Sequence, residues 1–135
     1  MDDPVVAAPV LGDTGRMRQA FAHQAVLTMG PDADIRAPGA AVTVALCGHW
    51  EHEPPCPLAP HHSQAERVGS EVHLRTLFAA EPEMEAVVRQ RIDLALSGGG
   101  LRGPDGVTAE WRLRSSRRSV IAPQETEHAQ RLTGS

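Results

Sequence analysis

Apolar and polar residues alternate most clearly in the stretch EVHLRTLFAA, from Glu71 to Ala80. Val72, Leu74 and Phe78 fall on one side of this alternation, while His73 and Arg75 fall on the other. A period of two residues is typical of a β-strand that buries one face. The pattern therefore predicts a half-buried strand over Glu71 to Ala80.

A helix is predicted directly after this strand. Pro82 suits a first helical turn, and the glutamates around it favour the positive end of the helix dipole. The glycine run after Ser97 predicts where the helix ends. Its apolar stripe recurs at helical spacing and consists of Met84, Val87, Val88, Ile92, Ala95 and Leu96, with Arg91 as an interruption.

Weaker patterns predict the remaining elements. Asp13 and Thr14 can cap a helix that runs to about Gln24, with apolar side chains at helical spacing. The next five residues, 25–29, fit either a strand or the end of that helix. The β-branched run from Ala40 to Leu46 predicts a buried strand, and alternation from Val107 to Leu113 predicts a last strand.

This order of elements predicts an α+β fold. We expect a mostly antiparallel sheet of three or four strands with two helices on one face, and a ferredoxin-like arrangement is one member of that class. The length of 135 residues suits one domain. We expect an N-terminal arm over residues 1–12, a domain over 13–121 and a polar tail, or a short weak helix, over 122–135.

Composition and charge narrow the classes of partner. The net charge of -4 argues against nucleic acid, which is bound through clustered cations. Lys, Asn and Tyr are all absent, a codon signature that indicates a GC-rich, bacterial genome and excludes a Schiff-base lysine. A homo-oligomer is compatible with this composition.

The N-terminal sequence indicates the compartment. It begins with two acidic residues and contains two prolines, unlike a secretory signal. No segment reaches the roughly 20 apolar residues that span a bilayer. We therefore expect a cytoplasmic protein without a membrane partner, in which cysteines are free thiols or metal ligands.

Chemistry is concentrated in LCGHWEHEPPCPLAPHH, from Leu46 to His62, which holds both cysteines and four of the seven histidines. If a strand continues past Leu46, the side chains of Cys47 and His49 lie on one face, and His52 follows about one helical turn later. Thiolate and imidazole together suit zinc, with copper or iron as alternatives. The candidate ligands are Cys47, His49, His52, Cys56, His61 and His62.

The number of protein ligands distinguishes two metal-dependent functions. Four protein donors would form a closed structural or carrier site. Three donors and a water would suit a hydrolase, since zinc lowers the pKa of bound water to about 7. In that case Glu51 or Glu53 is the candidate general base, and Glu66 could serve as a base or orient a ligand histidine.

Three other interpretations of this segment stay open. The spacing is that of neither a zinc finger nor an H-E-x-x-H helix, so the loop can be solvated and metal-free, as part of a ligand-binding or protein-binding module. Cys47 and Cys56 can form a disulfide in an oxidising compartment. Cys47 can also be a nucleophile activated by His49 or His52.

A second cluster of charge is WRLRSSRRS, from Trp111 to Ser119. Its arginines could bind a carboxylate or phosphate through their planar guanidinium groups. The favoured interpretation is structural, because Arg112 and Arg114 are the outward positions of an amphipathic strand, where charge protects a sheet edge.

Overall fold

The computed structural model describes residues 18–47, 59–103 and 106–133, and only the backbone of Cys47. Within these ranges the chain forms five strands and three α-helices. In chain order they are β1 (Gln19–Met29), α1 (Ala37–Cys47), β2 (His61–Val68), β3 (Glu71–Ala80), α2 (Glu85–Ser97), β4 (Gly100–Arg102), β5 (Thr108–Ser119) and α3 (Thr126–Leu132). Single turns of 3₁₀ helix, Pro82–Met84 and Pro123–Glu125, precede α2 and α3.

The five strands form one antiparallel sheet in the order β2-β3-β1-β5-β4, which curls into a half-barrel. β1 lies in the middle and pairs with β3 from Gln19↔Ala80 to Thr28↔Glu71. Its other edge pairs with β5 from Ala22↔Ser119 to Met29↔Trp111. Because β1 is paired along both edges, its backbone polar groups are satisfied within the sheet.

One face of the sheet carries α1 and α2, and this face holds the hydrophobic core. The strands alternate, so that every second residue of β1 and β3 points to these helices. Phe78 is the largest fully buried side chain, and its ring centroid lies 5.4 Å from that of Phe21. The core also contains Trp111, and its main aliphatic side chains are Leu27, Val42, Leu46, Val72, Leu74, Val88, Ile92 and Leu96.

Among the described residues, α3 alone covers the opposite face, and it does so at one end. Ala129 of α3 is buried there, as are the paired residues Ala22 and Leu77 of the sheet. Farther along the sheet the side chains on this face are polar or only partly buried. We call this surface the open face.

The expected sheet of three or four strands with two helices on one face, including its ferredoxin-like variant, was wrong. The described sheet has five strands and curls, and α3 packs on the face opposite α1 and α2. The edge strand β2 was missed because HHSQAERV contains few apolar residues. Every second residue of β2 is exposed and the others are only partly buried, which leaves a weak hydrophobic pattern.

Two elements have the opposite type from the one predicted. The helix expected to reach Gln24 is a strand from Gln19 onward, because pairing on both edges outweighs the weak preferences of Ala and Gln. The strand expected over Ala40–Leu46 belongs to helix α1. Pro38 lies in the first turn of that helix, where proline needs no hydrogen-bond partner.

Two predictions with stronger patterns were confirmed. β3 has the predicted bounds, Glu71–Ala80. α2 ends at Ser97 as predicted, and the chain turns through the Pro82–Met84 3₁₀ segment before it. The last strand was also found as β5, which continues past Leu113 to Ser119.

None of the helices in the three described ranges is both long enough and apolar enough to cross a bilayer.

Candidate functional site

The structure describes only the two ends of the Cys/His segment, Leu46 to His62. Cys47 is the last residue of α1, and His61 and His62 are the first residues of β2. The chain between them is described only from Ala59 onward. The other predicted residues, His49, Glu51, His52, Glu53 and Cys56, lie outside the described residues.

The ring of His61 lies between α1 and the start of β2. Its Nδ1 is 3.1 Å from the carbonyl oxygen of Ala59, and its Nε2 is 3.0 Å from the hydroxyl of Thr43 in α1. A carbonyl oxygen can only accept, so Nδ1 carries the proton and donates it. In the neutral ring Nε2 then accepts the proton of the Thr43 hydroxyl.

These two hydrogen bonds bring the ends of the Cys/His segment together. Thr43 precedes Cys47 by one helical turn, so the two positions lie on the same side of α1, about 6 Å apart along its axis. Ala59, whose carbonyl oxygen binds Nδ1 of His61, is the first residue described after Cys47. His61 therefore connects the last turn of α1 to the point where the chain re-enters the described structure.

A cavity of about 360 Å³ adjoins this connection. Thr43 and His61 contribute to its wall together with Gly39, Ser63 and Leu74. The sequence provides small residues at the closest approach, since a Cβ added at Gly39 would lie 3.2 Å from Cβ of Ser63. α1 and β2 thus approach each other closely at Gly39 and Ser63. The His61 ring lies on the wall of the adjoining cavity.

His62 points to the opposite face of the sheet, as expected for adjacent residues in a strand. Its ring centroid lies 4.4 Å from that of His128 in α3. Burial and then the charge of His128 lower the pKa of His62 below its ordinary value. Because His61 and His62 diverge, the two imidazoles of this pair cannot bind one ion together.

Among the described residues, no three histidine, cysteine, aspartate or glutamate side chains form a group that could hold a metal ion. Glu66 is exposed on β2 and shares its side of the strand with His62 rather than His61. The predicted six-residue ligand set is thus represented here by His61, His62 and the backbone of Cys47.

A polar network that the sequence analysis missed lies between β1, β5 and α2. His23 is only 4% exposed, and its Nδ1 accepts a 2.9 Å hydrogen bond from Arg89. Its Nε2 therefore carries the proton and donates to Ser116 at 2.7 Å, and Ser116 donates to Asp93. Burial, and next the charge of Arg89, lower the pKa of His23.

This network contains Ser, His and Asp but is not arranged for nucleophilic catalysis. A catalytic histidine would accept the serine proton, whereas Arg89 fixes the tautomer in which His23 donates to Ser116. Arg89 is itself held by Glu85 at 2.8 Å and lies over the Phe78 ring. The network joins α2 to the sheet.

A second missed feature is Arg75, whose guanidinium lies on the open face beneath α3. It donates to both carboxylate oxygens of Glu125, at 2.6 and 2.8 Å. It also donates to Gln24, Ser119 and the carbonyl oxygen of Val120. Hydrogen bonding to Arg75 is the main cause that lowers the pKa of Glu125.

Neither feature has a local sequence signal. His23 and Ser116 are 93 positions apart, and Arg75 and Glu125 are 50 apart. In the sequence each residue has the appearance of an ordinary polar position of a strand or tail. Only the sheet order brings them into contact.

A further cavity lined by the described residues has a volume of about 1000 Å³. It lies between the turn after β1 and the strands β4 and β5. Leu101, Ala109 and Trp111 form part of its floor, while Asp32 and Arg112 contribute to its charged rim. Its size falls at the upper end of the range for small-molecule sites.

A scan of the chain against models of protein families gives no match, and a search of curated proteins gives none either.

Proposed function

We propose that this protein binds a transition-metal ion, with zinc as the first candidate, at the end of α1. The observation that carries the proposal is the orientation of His61. Its Nδ1 donates to a backbone carbonyl, which leaves Nε2 as the nitrogen able to bind a metal. Metal-binding histidines usually hold their second ring nitrogen in this way.

The position of His61 also supports the proposal. Its Nε2 faces α1 at Thr43, one turn before Cys47. A small movement of the Thr43 hydroxyl would allow an ion to take its place on Nε2. In this proposal Cys47, His49, His52 and Cys56 supply the remaining donors, and His62 supplies none.

The proposed role is structural or that of a metal carrier. Copper and iron remain alternatives, because a mixed thiolate and imidazole set suits them as well. A hydrolase would require a water on the ion and a nearby base, for which Glu51 and Glu53 were the predicted residues. These two residues lie outside the described ranges and support no further step.

Metal analysis of protein purified without an affinity tag tests the proposal. We expect about one equivalent of zinc, and a loss of affinity of at least about tenfold in a His61→Ala variant. His73→Ala is the matched control, because His73 is a strand histidine that contacts Glu71 rather than α1. Metal well below one equivalent in the unmodified protein would exclude this function.

A Thr43→Val variant separates metal binding from a structural role of His61. The substitution removes the hydroxyl that occupies Nε2, so zinc affinity should stay the same or increase. If His61 serves only to hold α1 and β2 together, Thr43→Val lowers the melting temperature by the same amount with and without zinc. Such a result would argue against His61 as a ligand.

Removal of the metal tests the structural form of the proposal. An ion that binds the folded state alone adds to its stability, so chelation should lower the melting temperature. Addition of zinc should restore it. A melting temperature that does not change after complete removal favours a carrier role.

A further inference from the structure

β5 has an outer edge that is mostly unpaired within the described part of the chain. β4 pairs with it only from Gly100↔Glu110 to Arg102↔Thr108. One more bond, from Trp111 N–H to the carbonyl oxygen of Gly99 at 2.9 Å, completes this contact. From Arg112 to Ser119 the edge has no strand beside it among the described residues. Such a row of backbone donors and acceptors can pair with another chain.

A β-bulge decides which side chains of β5 lie on the open face. Leu27 pairs with Leu113 but Val26 pairs with Ser115, so Arg114 is an extra residue. After the bulge Ser116 and Arg118 point to α2, where they contact Asp93 and Glu85.

The alternation on either side of the bulge then places three arginines together. Arg112 and Arg114 alternate with the core residues Trp111 and Leu113, and Arg117 lies between Ser116 and Arg118. Arg112, Arg114 and Arg117 therefore lie on the open face along one strand.

These three arginines have no acidic partner among the described residues. All three are exposed. By contrast, Arg118 lies 3.1 Å from Glu85, and Arg75 is bound by Glu125. An unneutralised row of cations next to an open strand edge fits a partner that supplies carboxylates.

The surroundings of the row argue against nucleic acid as this partner. Its neighbours on β1 are Gln24, Val26 and Thr28, none of them aromatic. Proteins that bind single strands usually stack bases on aromatic side chains. The net charge of -4 also gives little general attraction for a polyanion. A second copy of β5 is disfavoured too, because it would bring two rows of arginines together.

We propose that the outer edge of β5, from Arg112 to Ser119, binds an acidic segment of a partner protein as an added β-strand. Backbone hydrogen bonds to the edge would hold the segment, as in other complexes formed by strand addition. Side chains at every second position of the segment would face the arginines. Acidic residues at those positions give the interaction its specificity. This proposal is independent of metal binding, since His61 lies on the other face.

A labelled peptide of about eight residues that alternates Glu and Val is a suitable probe. We expect the full-length protein to bind it with a dissociation constant below about 1 mM, and more weakly as salt concentration rises. The same peptide with Lys in place of Glu should not bind. Absence of binding by the acidic peptide, or equal binding of both peptides, would overturn the proposal.

Matched protein variants test the role of the arginines. Replacing Arg112, Arg114 and Arg117 together by Gln should weaken peptide binding by about tenfold or more. The control replaces three exposed arginines elsewhere, Arg36, Arg91 and Arg131, and should change binding by less than about twofold. Thermal melts of both variants verify folding. Equal losses in the two variants would mean that only total charge matters.

Backbone methylation of the peptide tests strand addition itself. Alternate amides of an added strand point toward the edge of the sheet. Two peptides are compared, one methylated on the odd-numbered amide nitrogens and the other on the even-numbered ones. Only the peptide whose methyl groups point toward the edge should lose binding. Equal binding of both would exclude an added strand. A single-stranded oligothymidylate that binds more tightly than the peptide, through the same arginines, would overturn the proposal in favour of nucleic acid.

Discussion

The two faces of the sheet come from the same strands but hold their helices by different forces. On one face, α1 and α2 cover a continuous hydrophobic core around Phe78. On the other, α3 is held at one end by Arg75, Glu125 and the His62–His128 contact, and the buried apolar side chains there form only a small patch of Ala22, Leu77 and Ala129. The burial of apolar surface is non-directional and contributes a large part of the stability, whereas the polar contacts are few and each contributes little. Stability should therefore be concentrated on the first face.

The largest effect should come from a truncation in the core. Phe78→Ala removes a fully buried ring and should lower the free energy of unfolding by about 3–5 kcal/mol. Val26→Ala, on the open face of the neighbouring strand, should cost less than about 1 kcal/mol. Urea denaturation measures the free energy of unfolding of both variants. Similar losses in the two would contradict the difference between the faces.

An intermediate effect is expected where α3 docks. Arg75→Met keeps much of the side-chain stem but removes the bonds to Glu125, and should lower stability by about 1–3 kcal/mol. Hydrogen exchange should accelerate in α3 and stay unchanged in α2. Arg131→Met is the control, because Arg131 forms an exposed pair with Glu127 in the same helix. Uniform acceleration of both helices would show that α3 does not depend on Arg75.

The smallest effect should be the pH dependence of the covered face. The folded protein holds the pKa of His23 below the ordinary value of 6.5, because the ring is buried and lies beside Arg89. As the pH falls through 6.5, the unfolded chain takes up a proton that the folded protein resists, so stability falls. Above that pH the contribution of His23 is constant.

A His23→Gln variant isolates this contribution, because His62 has a lowered pKa as well and acts in the same direction. Glutamine can still donate a hydrogen bond to Ser116 but does not titrate. Its free energy of unfolding should decline less between neutral and mildly acidic pH. Identical pH profiles for the variant and the unmodified protein would remove His23 as a cause.

The sequence was most informative where one pattern dominated. The alternation of β3 predicted both of its ends, and the glycine run predicted where α2 ends, whereas Pro82 lies in a 3₁₀ turn before α2 begins at Glu85. β1 and α1 were exchanged in type because short runs rich in alanine and valine fit a strand or a helix. Their type depends on what packs around them, and no local pattern contains that information.

For the candidate site, the sequence predicted which types of residue are present but not how they are arranged. The clustering of thiols and imidazoles identified the segment, and His61 has an orientation that suits a ligand. That His62 faces the other way could have followed from a strand at His61–Val68, which the polar sequence concealed. Contacts of His23 and Arg75 with distant strands depend on the sheet order, which was not predicted.

The extra residue at the β5 bulge sets the phase of the strand. Ser115 follows Leu113 in the pairing with β1, so loss of Arg114 would restore a regular strand and keep every later side chain on its present face. Regular pairing with Arg114 retained would instead turn those side chains over. Ser116 and Arg118 would then leave Asp93 and Glu85, and the guanidinium of Arg117 would be driven toward α2. A strand shortened by one amino acid can thus preserve more of this protein than a full-length strand that loses its irregularity.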